Sequence, residues 1–485
     1  MRTGGANCSL LPKARQQGAI SMSHRLVLLS IALLASGCTV GPNYKRPMVA
    51  VPGSYRGMIP EQTTQTQIAS LGDQKWWEIF QDEELRAFIR TALQQNYDLR
   101  IAASRVIEAQ AQVGITRADQ FPSLSGGAGI ADVRSSRSKF LPAFETSIGQ
   151  VNLSAAWELD FWGKFRRATE AARANLLASE WARQEVVSTL VANVSAAYFQ
   201  LRALDLQLEI SKRTLDSRQE SLRLTRILAD GGSTSLLDVR QAEQLVFTAS
   251  AEIPALEQQI EQQENFLSIL LGQNPADIPR GLALTDQPRP PEVPPGLPSA
   301  LLERRPDIRE AEALLIAANA QIGVARAAYF PEISLNGNGG FESSALTGLF
   351  NGPAGAWSFG ASLTEPIFTA GRLRSGVRLA EARQETAVLL YQQSIQAAFR
   401  SVSDGLVAYR KTYEFRVQQE SLFQSAQDAA RLSHMRYSGG ATGYLEVLTN
   451  ETNAFSAELG LAQARLNELL ALVQLYESLG GGWQQ

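Results

Sequence analysis

The sequence predicts an α+β membrane protein with a tandem internal repeat, in which four amphipathic β-strands join two antiparallel hairpins of very long helices. Three observations support this fold class. Matching segments recur about 208 residues apart, two stretches of about 65 residues have a helical composition, and four segments of about 10 residues alternate between apolar and polar side chains.

The first element is a targeting segment. A short apolar run follows two basic residues and ends at Leu34-Ala35-Ser36-Gly37-Cys38, and Met22 is the better start of this segment. The run is shorter than the about 20 apolar residues of a spanning helix, and small residues precede the cut, as in bacterial lipoprotein signals. We therefore expect residues 1–37 to be removed and Cys38 to carry a covalent diacylglycerol and an N-acyl lipid. Thr39, in place of a retaining Asp, favours the outer membrane.

The residue inventory excludes most enzyme classes. Once residues 1–37 are removed, the chain keeps one cysteine, Cys38, and one histidine, His434. A Cys/His zinc site, a Ser-His-Asp triad outside His434 or a disulfide framework cannot be built from them. We expect no enzyme activity, no metal site and no cofactor other than the lipid. The formal net charge of −3 gives no general electrostatic signature of nucleic-acid binding.

Four strands are predicted at about 122–133, 148–161, 332–342 and 356–367. In the second, for example, Val151, Leu153 and Trp157 are apolar while the residues between them are mostly polar. Such two-faced segments are typical of outer-membrane barrel strands. A soluble antiparallel sheet with one buried face gives the same alternation and is the alternative.

Any membrane crossing must be made by these strands, because no apolar helix of sufficient length follows the targeting segment. Four strands cannot close a barrel alone, since about 8 is the smallest practical number. The barrel must therefore be shared between chains, and two, three or four copies fit equally well.

Long helices are predicted at 164–230 and 373–437, because glycine and proline are nearly absent from both. A second helix follows each of them, at 235–271 and 443–479, after a Gly-Gly turn that suits a left-handed helix end. At 1.5 Å per residue the long helices would reach about 100 Å. Pro254 is expected to kink the first return helix.

The repeat and the composition set the domain boundaries. The chain is expected to comprise an upstream extension with the lipoprotein signal at 1–37, a lipidated extended segment at 38–83, a first repeat at 84–280, a Pro-rich linker at 281–298 and a second repeat at 299–485.

Five further motifs are specific enough to suggest a family. They are Cys38 to Pro47, Trp77 to Leu85, Ala92 to Leu99, Glu303 to Arg309 with the following Ala328-Tyr329-Phe330-Pro331, and Leu479 to Trp483. Together they resemble the TolC-like outer-membrane factor family, in particular its branch of efflux-pump lipoproteins, over nearly the whole mature chain. The resemblance implies a homotrimer whose 12-stranded transmembrane β-barrel continues into a long periplasmic α-helical barrel of coiled-coil hairpins.

The resemblance also implies partners and a function. The partners would be a periplasmic adaptor (a membrane fusion protein) and an inner-membrane pump of the resistance-nodulation-division type. The function would be a passive exit duct for small molecules across the periplasm and outer membrane. The alternatives are the outer-membrane duct of a type I protein secretion system and a lipid-anchored periplasmic coiled-coil structural or adaptor protein.

Three sets of site residues are candidates. The resemblance implies that the turns between the helices dock the adaptor, although they are also ordinary helix connectors. These turns comprise Gly231, Gly232, Ser233, Thr234, Gly439, Gly440, Ala441 and Thr442.

A candidate periplasmic gate comprises Arg226, Arg431 and His434. If these side chains point inward in a trimer, acidification would gather like charges and widen the mouth; a solvated outer face is the alternative. Glu158 and Asp160 are candidates to line the pore, and a solvated polar strand face explains them equally well.

Overall fold

The computed structural model describes residues 39–56, 70–136, 142–288 and 298–483. Cys38, the predicted lipidation site, and residues 289–297 of the predicted linker lie outside the described residues. The chain divides into two compact units. Among the described residues, the sheet unit comprises those within 39–45, 111–173 and 316–385, and the helical unit comprises those within 46–110, 174–315 and 386–483.

The described chain contains nine α-helices. They are α1 (Trp76–Ile79), α2 (Glu83–Gln95), α3 (Tyr97–Ala118), α4 (Lys164–Asp230), α5 (Leu236–Leu270), α6 (Pro298–Arg304), α7 (Pro306–Ala327), α8 (Arg372–Ser438) and α9 (Tyr444–Ser478). The four long ones, α4, α5, α8 and α9, have nearly the predicted bounds. Matching helices of the two halves have equal lengths, with 67 residues in α4 and α8 and 35 in α5 and α9. We call α4 and α5 the first hairpin, and α8 and α9 the second hairpin. Helix α5 continues without a break through Pro254. The expected kink of the helix at this proline stays a prediction.

Four glycines end the hairpin helices in the same way. Gly232, Gly272, Gly440 and Gly480 all have φ between 71° and 78°, in the left-handed region that glycine tolerates best. In each case the N–H of the following residue donates to the carbonyl five residues back, for example Ser233 to Leu228 at 2.8 Å and Ala441 to Arg436 at 2.8 Å. This is the Schellman arrangement, which satisfies the last carbonyls of a helix.

The strands form one antiparallel sheet in the order β1 (Ser123–Arg134), β2 (Glu145–Glu158), β3 (Glu332–Ser343) and β4 (Gly355–Thr364). The pairing of β2 with β3 joins the two halves of the chain in a single sheet. Within the described residues, β1 and β4 are the edge strands.

Three strand ends differ from the prediction by three residues each. Strand β2 starts at Glu145, not 148. Strand β2 stops at Glu158, not 161, because Asp160 already accepts the backbone N–H groups of Phe165 and Arg166 at 3.2 and 2.9 Å and so begins α4. Strand β4 stops at Thr364, not 367, just before Glu365-Pro366. Proline has no N–H to donate to a strand ladder.

The motif Glu303 to Arg309 is a structural clamp inside the helical unit. The Arg305 guanidinium binds both carboxylate oxygens of Asp307, at 2.9 and 2.6 Å, and also donates to the Ser401 hydroxyl and the Ser478 carbonyl at 2.9 Å. A forked guanidinium is well suited to join several acceptors at once. The motif therefore ties the start of α7 to α8 and to the end of α9.

No helix among the described residues has both the length and the apolar character required to cross a membrane.

Candidate functional site

The strand register collects the apolar side chains on one face of the sheet. Paired residues share a face, and the pairs Leu153–Gly126, Trp157–Leu335 and Ile333–Leu363 place the alternating apolar positions of adjacent strands together. Several of these side chains are exposed, including Trp357 at 83% and Phe359 at 70%. This finding is contrary to the alternative of a sheet whose apolar face is buried by its own chain.

The opposite face carries a ladder of small polar side chains. The Asn152 amide donates to Asn338 Oδ1 at 2.9 Å across β2 and β3, and to the Ser154 hydroxyl at 3.1 Å. The Ser334 and Ser362 hydroxyls lie 2.7 Å apart across β3 and β4. The sheet therefore separates an apolar face from a polar face, as the alternation predicts.

The two predicted pore-lining carboxylates have other partners. Lys164 Nζ binds Glu158 Oε1 at 2.9 Å and Glu332 Oε1 at 3.0 Å. Asp160 accepts the first backbone N–H groups of α4 and binds the Arg166 side chain at 3.3 Å. Both carboxylates hold the junction of β2 and α4, so nothing in their geometry singles them out for contact with cargo.

The segment directly after Cys38 is firmly held in the sheet unit. Arg167, only 4% exposed, donates to the carbonyls of Val40 and Gly41 at 3.2 and 3.3 Å and to Asn43 Oδ1 at 2.7 Å. The backbone of Gly41, with φ of 103°, lies so close to Gly323 that a Cβ on Gly41 would sit 2.5 Å from the Gly323 Cα atom. This packing explains both glycines and holds residues 40–43 in place within the sheet unit.

The two predicted docking turns have nearly the same structure. After each Schellman glycine, a threonine hydroxyl donates to the carboxylate four residues on, Thr234 to Asp238 and Thr442 to Glu446. Ser235 and Asp238 also form a capping box at the start of α5, whereas Gly443 starts α9 without a side-chain cap. The threonine that recurs two residues after each Gly-Gly is therefore explained by helix initiation.

Apolar side chains around the turns fall into two groups. A buried cluster joins both hairpins and contains Leu222, Val239, Ala242, Tyr444 and Val447. Exposed apolar residues recur at equivalent places in the two halves, namely Leu224 and Leu432, Ile227 and Met435, and Leu237 and Leu445. Duplicated exposed apolar positions of this kind mark surfaces that a partner can cover.

Each residue of the candidate gate is paired with a carboxylate of its own chain. Arg226 Nη2 binds Glu243 Oε1 at 2.8 Å, Arg431 Nη2 binds Asp428 Oδ1 at 3.1 Å, and His434 Nε2 binds Glu451 Oε1 at 2.6 Å. The hydrogen bond to the Glu451 carboxylate raises the pKa of His434 above its ordinary value of 6.5, although partial burial opposes the shift. Protonation of His434 therefore completes an ion pair, which corrects the expectation that acid adds unpaired positive charge here.

Sequence reasoning missed Glu243 and Glu451 as partners, although a signal for them exists. Residues 226 and 243, and residues 434 and 451, are each 17 positions apart. Each pair is centred on the turn of its hairpin, and antiparallel helices bring such residues opposite one another.

Comparison with known proteins gives a consistent result. A sequence profile of outer membrane efflux proteins matches the chain twice, over residues 88–273 and 297–481. The chain is 39% identical over 473 residues to the probable efflux pump outer membrane protein TtgC of Pseudomonas putida, an alignment that covers 94% of this chain and 96% of TtgC. It is 35% identical over 466 residues to the cation efflux system protein CusC of Escherichia coli, covering 95% and 99% of the two chains.

Solved structures show the same similarity. The open state of the Neisseria gonorrhoeae MtrE outer membrane channel superposes with a TM-score of 0.83 at 32% identity, covering 92% of this chain and 99% of that one. A crystal structure of CusC gives a TM-score of 0.83 at 33% identity, covering 92% and 100%.

Proposed function

Because this chain belongs to the outer membrane efflux protein family, it is an outer-membrane channel component of an efflux system, and we propose that three copies form a passive exit duct for small molecules. The duct would cross the outer membrane as a 12-stranded barrel, and the hairpins would form its periplasmic part. Energy would come from an inner-membrane pump of the resistance-nodulation-division type, coupled through a periplasmic adaptor. The cargo would be small molecules, because the relatives are efflux proteins.

The observation that carries this proposal is the two-faced sheet. An apolar face with tryptophan and phenylalanine exposed is suited to lipid, and the polar ladder opposite is suited to a water-filled lumen. The edge strands β1 and β4 can be paired by neighbouring copies, and closure removes unpaired strand edges. A structural or adaptor protein built on coiled coils has no use for such a sheet.

Two further features support the assembly we propose. The exposed apolar positions shared by both turns, such as Leu237 and Leu445, suit an adaptor that reads the two hairpins alike. The hydrogen bonds from Arg167 to residues 40–43 would hold a lipid on Cys38 at a defined place.

Metabolic labelling with palmitate tests whether Cys38 carries a lipid. The label should disappear in Cys38→Ser, and label that persists there would contradict the assignment.

Adjacent residues of β4 provide a matched test of the two faces. Phe359 belongs to the apolar face and Ser358 to the polar face. A lysine facing lipid near the bilayer midplane costs about 2–4 kcal/mol per chain, whereas a lysine facing a lumen remains hydrated. We expect Phe359→Lys to reduce the amount of protein in outer-membrane fractions severalfold and Ser358→Lys to leave it unchanged. Equal loss, or no loss, in both variants would contradict the face assignment.

A further inference from the structure

A cavity of about 330 Å³ lies between α4, α8 and α9 in the helical unit. Its charged and aromatic lining includes Arg213, Arg218, His434, Glu451, Glu458 and Phe455. Arg213 and Glu458 form an ion pair with each other. The remaining charged groups are Glu451 and the two bases that face it, His434 from α8 and Arg218 from α4.

Glu451 uses only one of its two oxygens. Oε1 lies 2.6 Å from His434 Nε2, while Oε2 is buried and has no hydrogen-bond partner. Arg218 also has a buried polar group without a hydrogen-bond partner. It is 3% exposed, donates through Nη1 to the Leu245 carbonyl at 3.0 Å and lies 4.9 Å from the Phe455 ring centroid, but its Nε–H has no partner.

The cavity thus contains an unsatisfied acceptor and an unsatisfied donor of opposite charge. Buried groups of this kind are unfavourable unless they are paired. Arg218 and Glu451 line the same cavity and carry opposite charges. We therefore take Arg218 as an alternative to His434 as the partner of Glu451, and the open volume gives the side chains room to rearrange. A bond from Glu451 to Arg218 would join the two hairpins, whereas the bond to His434 lies within the second hairpin.

The internal repeat shows how the second hairpin differs from the first. Arg226 and Glu243 occupy the places equivalent to His434 and Glu451, and their ion pair persists at every physiological pH. The second hairpin has a titratable base instead. Ala426 occupies the place equivalent to Arg218, so the competing arginine is present in one half only.

Three other charged or titratable residues of the described chain lie near Glu451, namely Tyr444, Arg213 and Glu458. Burial raises the pKa of Tyr444 to about 12, so its hydroxyl remains neutral. Arg213 and Glu458 are paired with each other. Helix α5 contributes the Leu245 carbonyl to Arg218. Burial lowers the pKa of Arg218 from its ordinary value of 12.5, in part offset by the charge of Glu451. His434 is the residue whose charge we expect to change, because the ordinary pKa of an imidazole is 6.5 and the hydrogen bond to Glu451 raises it.

We propose that Glu451 is a pH-dependent latch, which binds Arg218 across the hairpins when His434 is neutral and binds His434 within the second hairpin when His434 is protonated. Acidification then removes one polar contact between α4 and α9, while the ion pair of Arg213 with Glu458 remains. This inference rests on the proposed function, since a weaker contact between the hairpins is expected to widen the periplasmic end of the duct.

The test is single-channel conductance in planar bilayers at pH 8.5 and pH 5.5. We expect the wild-type conductance to rise at least twofold on acidification. His434→Arg copies the permanent pair of the first hairpin and should give the high value at both pH values. His434→Gln cannot be protonated and should give the low value at both. Arg218→Met removes the bond between the hairpins and should give the high value at both.

Arg223→Met is the matched control, because Arg223 lies on the same helix but is exposed and paired with Glu220. It should keep the wild-type response. His434 is half-exposed, so its variants test the latch even if Arg218→Met does not fold. A wild-type pH response in both His434 variants would overturn the latch and leave the duct intact. A lack of conductance in every protein, wild type included, would instead contradict the proposed function.

Discussion

Glu185, on α4, illustrates at the residue scale how burial makes stability depend on pH. Burial, together with the nearby charge of Asp307, raises the pKa of Glu185 to about 7, although Arg305 opposes the shift. The folded protein therefore holds this proton more tightly than the unfolded chain does. The resulting stabilisation is fully present below about pH 4.5 and is lost as the pH rises through about 7.

Glu185→Gln should therefore be more thermally stable than the wild type at pH 8.5, by up to about 3 kcal/mol per chain, and should match it at pH 4.5. The measurement is the melting temperature at both pH values. Glu180→Gln, an exposed change on the same helix, should match the wild type throughout. If Glu185→Gln melts at or below the wild-type temperature at pH 8.5, this account is contradicted.

The partners of individual charged residues are only partly predictable from sequence. The pair of His434 and Glu451 follows from two antiparallel helices and a turn whose centre is visible in the sequence. The approach of Arg218 to Glu451 does not, because it depends on how one hairpin packs on the other. The role of Arg305 also requires the structure, since two of its partners lie 96 and 173 residues away.

At the scale of the elements, the hairpin turns allow the backbone conformation to be tested separately from docking of the adaptor. Gly232 and Gly440 need a left-handed backbone, and a Cβ added to either would meet no atom within 4 Å. Asparagine tolerates this conformation better than other non-glycine residues. A change to asparagine therefore adds a side chain to the turn with little backbone strain and no clash within the chain.

We expect Gly232→Asn and Gly440→Asn to assemble and melt like the wild type but to reduce efflux in cells, because the added side chain stands where the adaptor would dock. Drug accumulation and the amount of trimer are the measurements. Gly371→Asn is the control, since Gly371 also has a positive φ, 85°, and open space around it. Full efflux by both turn variants would rule out docking at these positions.

Element boundaries were predictable wherever composition changes sharply. Helix α4 begins and ends at the predicted residues, because Gly163 precedes it and Gly231-Gly232 follow it. The end of β2 was less predictable, because Asp160 continues the strand alternation while its side chain caps α4. In each strand the alternation of side chains predicts which face is apolar. Only the strand register shows that the apolar faces of all four strands lie on the same side of the sheet.

At the scale of the whole molecule, the duplication explains both the similarity and the difference of the two halves. Pairing of β2 with β3 places one strand pair from each half in a single sheet. The hairpins keep equal lengths and equivalent cross-hairpin pairs. Arg218 and His434 are departures from the repeat, and through them the second hairpin acquires a pH-sensitive contact that the first lacks.

The central claim is that this chain forms a passive duct whose lumen is lined by the polar face of the sheet. Single-channel recording of the purified protein in a planar bilayer, with a salt gradient, tests it most directly. The account predicts discrete conductance steps without any energy source and a reversal potential that moves toward anion selectivity in Ser358→Lys, which places three added cations in the lumen of a trimer. Membrane-inserted protein without conductance, or a Ser358→Lys reversal potential equal to that of the wild type, would contradict it.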